Sequence, residues 1–121
     1  MQLELNDRQA QIISQALDIF SRIQCGQLKY ISDLFWGIPP ERYLKIRQAL
    51  EDLEPEVTGL NKNAYHGIHS KENPESARIA YDIHQVVRNH LVWKSNPEGD
   101  MMCVAFDTPF KTSIEELPKI S

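Results

Sequence analysis

The chain has 121 residues, a mass of 14.0 kDa and a formal charge of −4, with 41% hydrophobic and 25% charged residues. That is one domain of ordinary globular composition, which excludes a disordered tail, a fibrous repeat and an integral membrane protein. The pI of about 5.5 argues against a general coat of basic charge for duplex DNA.

The first helix is expected over residues 7–24. Asn6 caps it and Gln9 completes a capping box. Ala10, Ile13, Leu17 and Phe20 form one apolar stripe, and Ile12, Ala16, Ile19 and Ile23 a second beside it. The arc is half a circumference wide and must be covered on two sides, by neighbouring helices or by a partner chain. Gly26 is a natural stop.

A short helical stretch is predicted over 27–35, ended by Trp36-Gly37 and the Pro39-Pro40 pair. A third helix over 40–54 starts at Pro40-Glu41 and carries Tyr43, Ile46, Leu50 and Leu53. Its acidic end, from Glu51 to Glu56, opposes the helix dipole. Residues 55–73 read as a long loop, a length uncommon inside a compact domain.

Asn73-Pro74-Glu75 reads as cap, first-turn proline and first-turn acid of a fourth helix over 74–93. Ile79, Ala80, Ile83, Val86, Val87, Leu91 and Trp93 form its expected buried arc, with His90 inside it as a core histidine. Arg78, Asp82, Gln85 and Asn89 lie opposite, with Arg78–Asp82 as an i,i+4 ion pair. Met102, Val104 and Phe106 alternate with Cys103 and Ala105, which predicts a short strand within 101–106, from Met101 to Phe106. One strand cannot stand alone, and Gln2-Leu3-Glu4-Leu5 is its best partner in the chain. The tail over 107–121 is expected to be extended. The expected fold is therefore mainly α, four helices with a small two-stranded β patch. The wide arc of the first helix and the lone strand both favour a homo-oligomer.

Charge is uneven along the chain. Residues 1–60 carry six Lys/Arg against nine Asp/Glu, residues 61–96 five against three, and residues 97–121 two against five. The middle third is thus net basic, and it holds all four histidines. It is either a solvated helix face or a local anion-binding surface. Tyr81, His84 and Arg88 recur at i, i+3 and i+7, offering a phenol, an imidazole and a guanidinium on one stripe. Arg88 is the candidate for a bidentate contact with a phosphate or carboxylate, with His84 and Tyr81 as hydrogen-bonding partners. Arg22, Tyr65 and His66 join them as candidate ligand-binding residues, with Lys29 and Lys62 as outer charge. The same stripe also suits the boundary of a buried face.

His66 and His69 make an H-x-x-H pair, but neither cysteine lies near it, so no metal is expected. There is no nucleophile elbow, Walker loop, dinucleotide fingerprint or H-E-x-x-H, so neither a cofactor nor catalysis is expected. Helix-turn-helix binding of DNA through Arg42, Lys45, Arg47 and Gln48 would bring Glu41, Glu51 and Asp52 against phosphates, which disfavours nucleic acid. Two cysteines, Cys25 and Cys103, suit a reducing cytoplasm. Residues 1–6 carry neither a basic segment nor a long apolar run, so a cytoplasmic protein without a membrane anchor is expected.

Ser21-Arg22-Ile23 followed by Gly26-Gln27, and Ala64-Tyr65-x-Gly67-Ile68, resemble segments of small accessory proteins encoded by bacteriophages and prophages. The longest match is Ala80-Tyr81-Asp82-Ile83-x-Gln85-Val86-Val87-Arg88-x-x-Leu91-x-Trp93. Pro97-Glu98-Gly99, Val104-x-Phe106-Asp107-x-Pro109 and Leu117-Pro118-Lys119-Ile120 continue it, while the segment from Gly37 to Gly59 adds little. The resemblance implies phage or prophage origin and an accessory role in the bacterial cytoplasm. Such proteins counter host defences by soaking up a signalling nucleotide or by occupying a host protein. The leading expectation is a non-catalytic protein that sequesters an anionic nucleotide-type ligand. The alternatives are an inhibitor that binds a host protein through apolar and acidic surfaces, with Trp36, Phe35 or Trp93 as anchors, and a small nucleic-acid-associated protein.

Overall fold

The computed structural model describes all 121 residues. It is mainly helical: α1 spans Asp7–Gln24, α2 Pro40–Thr58 and α3 Glu75–Ser95, with 3-10 helices at Leu28–Leu34 and Val104–Phe106. The capping box at the start of α1 is present in both directions, the Asn6 side chain accepting from the Gln9 amide and the Gln9 side chain from the Asn6 amide. Gly26 follows at φ 84°, a left-handed turn that directs the chain into the first 3-10 helix.

α2 begins at Pro40 as its composition requires, but it runs through Pro55 and stops only at Gly59, which caps it at φ 70°. Proline removes one helical hydrogen bond. Tertiary contacts made by Glu54 in the same turn hold the helix across that gap. The loop therefore starts at Gly59 and not at 55. At its far end Pro74, rather than Asn73, is the N-cap residue of α3, and the Asn73 amide group donates to the Gly67 carbonyl at 2.8 Å.

α1 and α3 pack as an antiparallel pair, tied at its two ends by Ser76–Gln24 (2.9 Å) and Lys94–Asp7 (2.8 Å). α2 packs on the first 3-10 helix and stands off both α1 and α3. The interior is mostly polar. Cys25, Ala77, Ala80 and Ala105 are the buried apolar residues, against ten polar ones that include Ser14, Ser21, Glu54, Asp82, His84 and Gln85.

Three expectations fail here, each for a physical reason. No β patch forms: residues 2–5 are exposed and make no ladder, Met101 and Met102 are almost fully exposed, and 104–106 form a 3-10 turn. The carbonyls that a strand partner would have satisfied accept instead from side chains of α3. Asn89 donates to the Ala105 and Asp107 carbonyls, and Trp93 to that of Phe106.

The faces of α3 are also not those its apolar pattern suggests. The supposedly outer stripe of Arg78, Asp82, Gln85 and Asn89 binds the tail, while α1 covers Ala77, Ala80 and His84. His90 is exposed, not a core residue. The third failure is the Arg78–Asp82 pair. Arg78 engages Glu75 and the loop carbonyls of Ser70 and Asn73, whereas Asp82 turns to Thr112 and Ser113. A buried carboxylate is better served by four aligned donors than by one surface cation.

Candidate functional site

The six residues singled out from the sequence do not form one cluster. Arg22, His66 and Tyr81 line a single cleft of about 190 Å³ together with Asp18, Ser21, Cys25, Gln27 and Ile68. α1 contributes Asp18, Ser21 and Arg22 at a spacing that puts them on one side of the helix. α3 contributes Tyr81, and the loop after α2 folds back to bring His66 and Ile68. That loop is fixed by His66, whose Nε2 lies 3.2 Å from the Thr58 carbonyl oxygen, and by the Asn73–Gly67 bond.

Arg22 is already engaged within the cleft. Its Nε lies 3.2 Å from Asp18 Oδ1, one terminal nitrogen donates to Gln27 at 3.0 Å, and its guanidinium covers the Tyr30 ring at 4.5 Å. The cleft therefore holds a fixed, oriented cation whose charge Asp18 largely offsets. Asp18 and Arg22 are an i,i+4 pair of opposite sign, a signal legible in the sequence that would have enlarged the candidate set.

His84 lies behind this cleft and is 7% exposed. Its Nδ1 donates to the Ser14 carbonyl at 2.9 Å and also lies 2.8 Å from the Ser14 hydroxyl, which leaves Nε2 facing Asp18 at 3.9 Å. Burial holds the imidazole below its ordinary value; Asp18 opposes that shift and Arg88 adds to it. Arg88 is half-buried and its Nε is buried without a hydrogen-bond partner. The stripe of Tyr81, His84 and Arg88 thus runs along the edge of the α1 interface and does not face a common open pocket. Tyr81 stacks at 5.9 Å from His84 and 6.2 Å from Phe110.

Tyr65 belongs elsewhere. Its hydroxyl donates to Glu54 at 2.9 Å, and Glu54 also accepts the Lys29 amide at 3.2 Å. The Lys29 ammonium covers the Tyr65 ring at 5.2 Å, and a hydrogen bond to Tyr65 raises the lysine above its usual value. Burial pushes the Tyr65 phenol up. Glu54 is 2% exposed and was hidden in the sequence as one acid in a run of four. Lys62 pairs with Asp52 at 3.3 Å.

For nucleophilic chemistry the cleft offers Ser21 and Cys25. Burial raises the Cys25 thiol, so it stays protonated at neutral pH. His66 and His84 spend ring hydrogen bonds on the carbonyls of Thr58 and Ser14. His69 stacks on Phe110 at 5.6 Å, and no group of three His, Cys, Asp or Glu residues is placed to hold a metal ion.

A wider, shallow recess of about 600 Å³ lies between α3 and the tail, lined by Val86, His90, Trp93, Lys94, Leu117 and Ile120 among others. It contains none of the six candidate residues. No helix is long and apolar enough to cross a membrane.

The surface carries a feature of another kind. Leu34, Phe35 and Trp36 project from the turn before α2, with Trp36 97% exposed. Gly37 at φ 74° and the Pro39-Pro40 start of α2 follow it in the chain. No family model, curated protein or solved structure matches the chain.

Proposed function

We propose that the chain is a non-catalytic accessory protein of phage type that acts in the bacterial cytoplasm by binding a host protein. Trp36 and Phe35 are its anchors, entering an apolar pocket on the partner. The observation that carries this reading is the near-complete exposure of Trp36, beside the exposed Leu34 and Phe35, on the turn before α2. Buried aromatic anchors dominate binding energy at protein interfaces. Around it charge is mixed: Asp33 accepts from Tyr43 and lies near Arg47, and Arg42 and Lys45 stand exposed beside Glu41.

The test is affinity capture from host lysate with the wild-type chain and Trp36→Ala in parallel, followed by a binding isotherm on the captured protein. A hot-spot tryptophan costs about 2 kcal/mol or more when truncated, a loss of roughly 30-fold or more in affinity. Equal binding by Trp36→Ala rejects the role.

A second role, sequestration of a small anion, is favoured by the meeting of Arg22, His66 and Tyr81 in one cleft. The volume is below the usual range for drug-sized ligands and suits a single phosphate-bearing group. An anion would have to displace Asp18 from Arg22. Melting curves with inorganic phosphate and with linear and cyclic nucleotides test it: a rise with ligand concentration that Arg22→Ala abolishes supports it, and unmoved melting rejects it. Salt-dependent retardation of DNA would instead support a nucleic-acid role.

A further inference from the structure

We infer that two copies of the chain associate through the apolar flank of the α1–α3 pair, completing a four-helix arrangement about a two-fold axis. The orientation of α1 carries the inference. Ser14 and Ser21 are the buried residues of this helix, and Ser14 meets His84 of α3. With 100° per residue, the opposite side and one flank of α1 then hold Ile12, Ile13, Ala16 and Phe20, all of them exposed. Ile12 is 59% and Phe20 46% exposed. The helix thus turns two serines inward and leaves four apolar residues exposed, while Leu17, Ile19 and Ile23 stay half-buried.

α3 extends the same flank. In an antiparallel pair the two flanks coincide, and the Ser76–Gln24 hydrogen bond marks the shared one. Ile79 and Ile83 of α3 lie on it, half-buried. Along this flank neither helix carries Asp, Glu, Lys or Arg until Lys94, which is held at the end by Asp7; the exposed His90 is the one titratable side chain before it. An uncharged two-helix flank can meet its own copy about a two-fold without burying an unpaired charge, and two such pairs form a four-helix bundle.

Surface area leaves room for such a contact. The chain exposes 8744 Å², whereas a compact monomer of this mass exposes about 6,700 Å². The stand-off of α2 and the extended ends account for part of the difference. A dimer interface of standard size, about 800 Å² per partner, fits within it. The inference is independent of Trp36, which lies outside this flank.

The test is mass by sedimentation or light scattering over a range of protein concentrations. Twice the chain mass is expected for the wild type; a monomer at every concentration up to about 100 µM, where a micromolar dimer would be nearly complete, overturns the inference. Phe20→Ala, a change at an exposed position that leaves the fold intact, is expected to raise the dissociation constant at least tenfold, and Ile13→Glu/Phe20→Glu to give a helical monomer by circular dichroism. Trp36→Ala is expected to leave the dimer unchanged. A dimer that survives the double substitution, or one lost with Trp36→Ala, overturns the assignment of the face. Should the double variant fail to fold, Phe20→Ala decides alone.

Discussion

Gln85 pairs with the main chain of Phe110 as a neighbouring strand would. Its side-chain nitrogen donates to the Phe110 carbonyl at 2.8 Å, and its side-chain oxygen accepts the Phe110 amide at 3.3 Å. This exchange is one rung of a longer arrangement. Glu75, Asp82, Gln85, Asn89 and Trp93, spaced along one stripe of α3, bond to the tail between Ala105 and Ile114, which runs antiparallel to the helix. Side chains of a helix here do what backbone groups do in a sheet.

Asp82 is the strongest rung. It accepts from the amides and hydroxyls of both Thr112 and Ser113, at 2.7–3.0 Å. Asp82→Ala is expected to cost about 2–4 kcal/mol and to release the tail while α1 and α3 remain paired. Hydrogen exchange should then show lost protection at the Thr112 and Ser113 amides with little change in the helices. Unaltered protection there contradicts the assignment.

Acid sensitivity should come from His84. Its folded value is lowered chiefly by burial, so the unfolded chain takes up the proton more readily. The stability it contributes is complete above the ordinary value of 6.5. It is lost as pH falls from there toward the lower folded value. Wild-type melting temperature is expected to fall between pH 7.5 and 5.5, and His84→Asn to flatten that fall; equal slopes for the two proteins refute this. The Glu75 carboxyl, lowered first by the Ile114 amide and then by Arg78, acts in a separate window below its ordinary value of 4.5.

Gly26→Ala should be costly for two reasons at once. The residue sits at φ 84°, and an added Cβ would lie 2.4 Å from Thr58 Cγ2. A loss of about 1–3 kcal/mol is expected by urea unfolding. A neutral substitution would mean that the first 3-10 helix and the end of α2 are not held together at this point.

Glu54 makes a fourth case. Replacing it with alanine strands the Lys29 amide and the Tyr65 hydroxyl, and a loss of about 1–3 kcal/mol follows. Glu54→Gln, which keeps an acceptor of the same shape, should lose less. Hydrogen exchange at the Lys29 amide in the two variants reports whether the contact is broken.

Local signals in the sequence carried the start of α1, its stop and the start of α2, but not the end of α2 or the cap of α3. The Asn6–Gln9 capping box, Pro40 and the left-handed turn at Gly26 each act first through a few neighbouring atoms. Faces were harder to read. Apolar periodicity marks the side of a helix that avoids water, but in α3 that arc falls between two surfaces claimed by hydrogen bonding, Ser14 on one side and the tail on the other. The alternation in 102–106 was real, yet no second strand was available, and α3 side chains were. Of the candidate site, Arg22, His66 and Tyr81 converged only because the loop folds back, a long-range event with no local signature.

The meeting of Ser14 with His84 spans 70 residues. During synthesis α1 leaves the ribosome long before its partner exists. At about 5–20 residues per second, roughly four to fourteen seconds separate the two. Throughout that interval the Ser14 hydroxyl and carbonyl lack the imidazole they bond in the folded chain, and the capping box gives the waiting helix local support of its own.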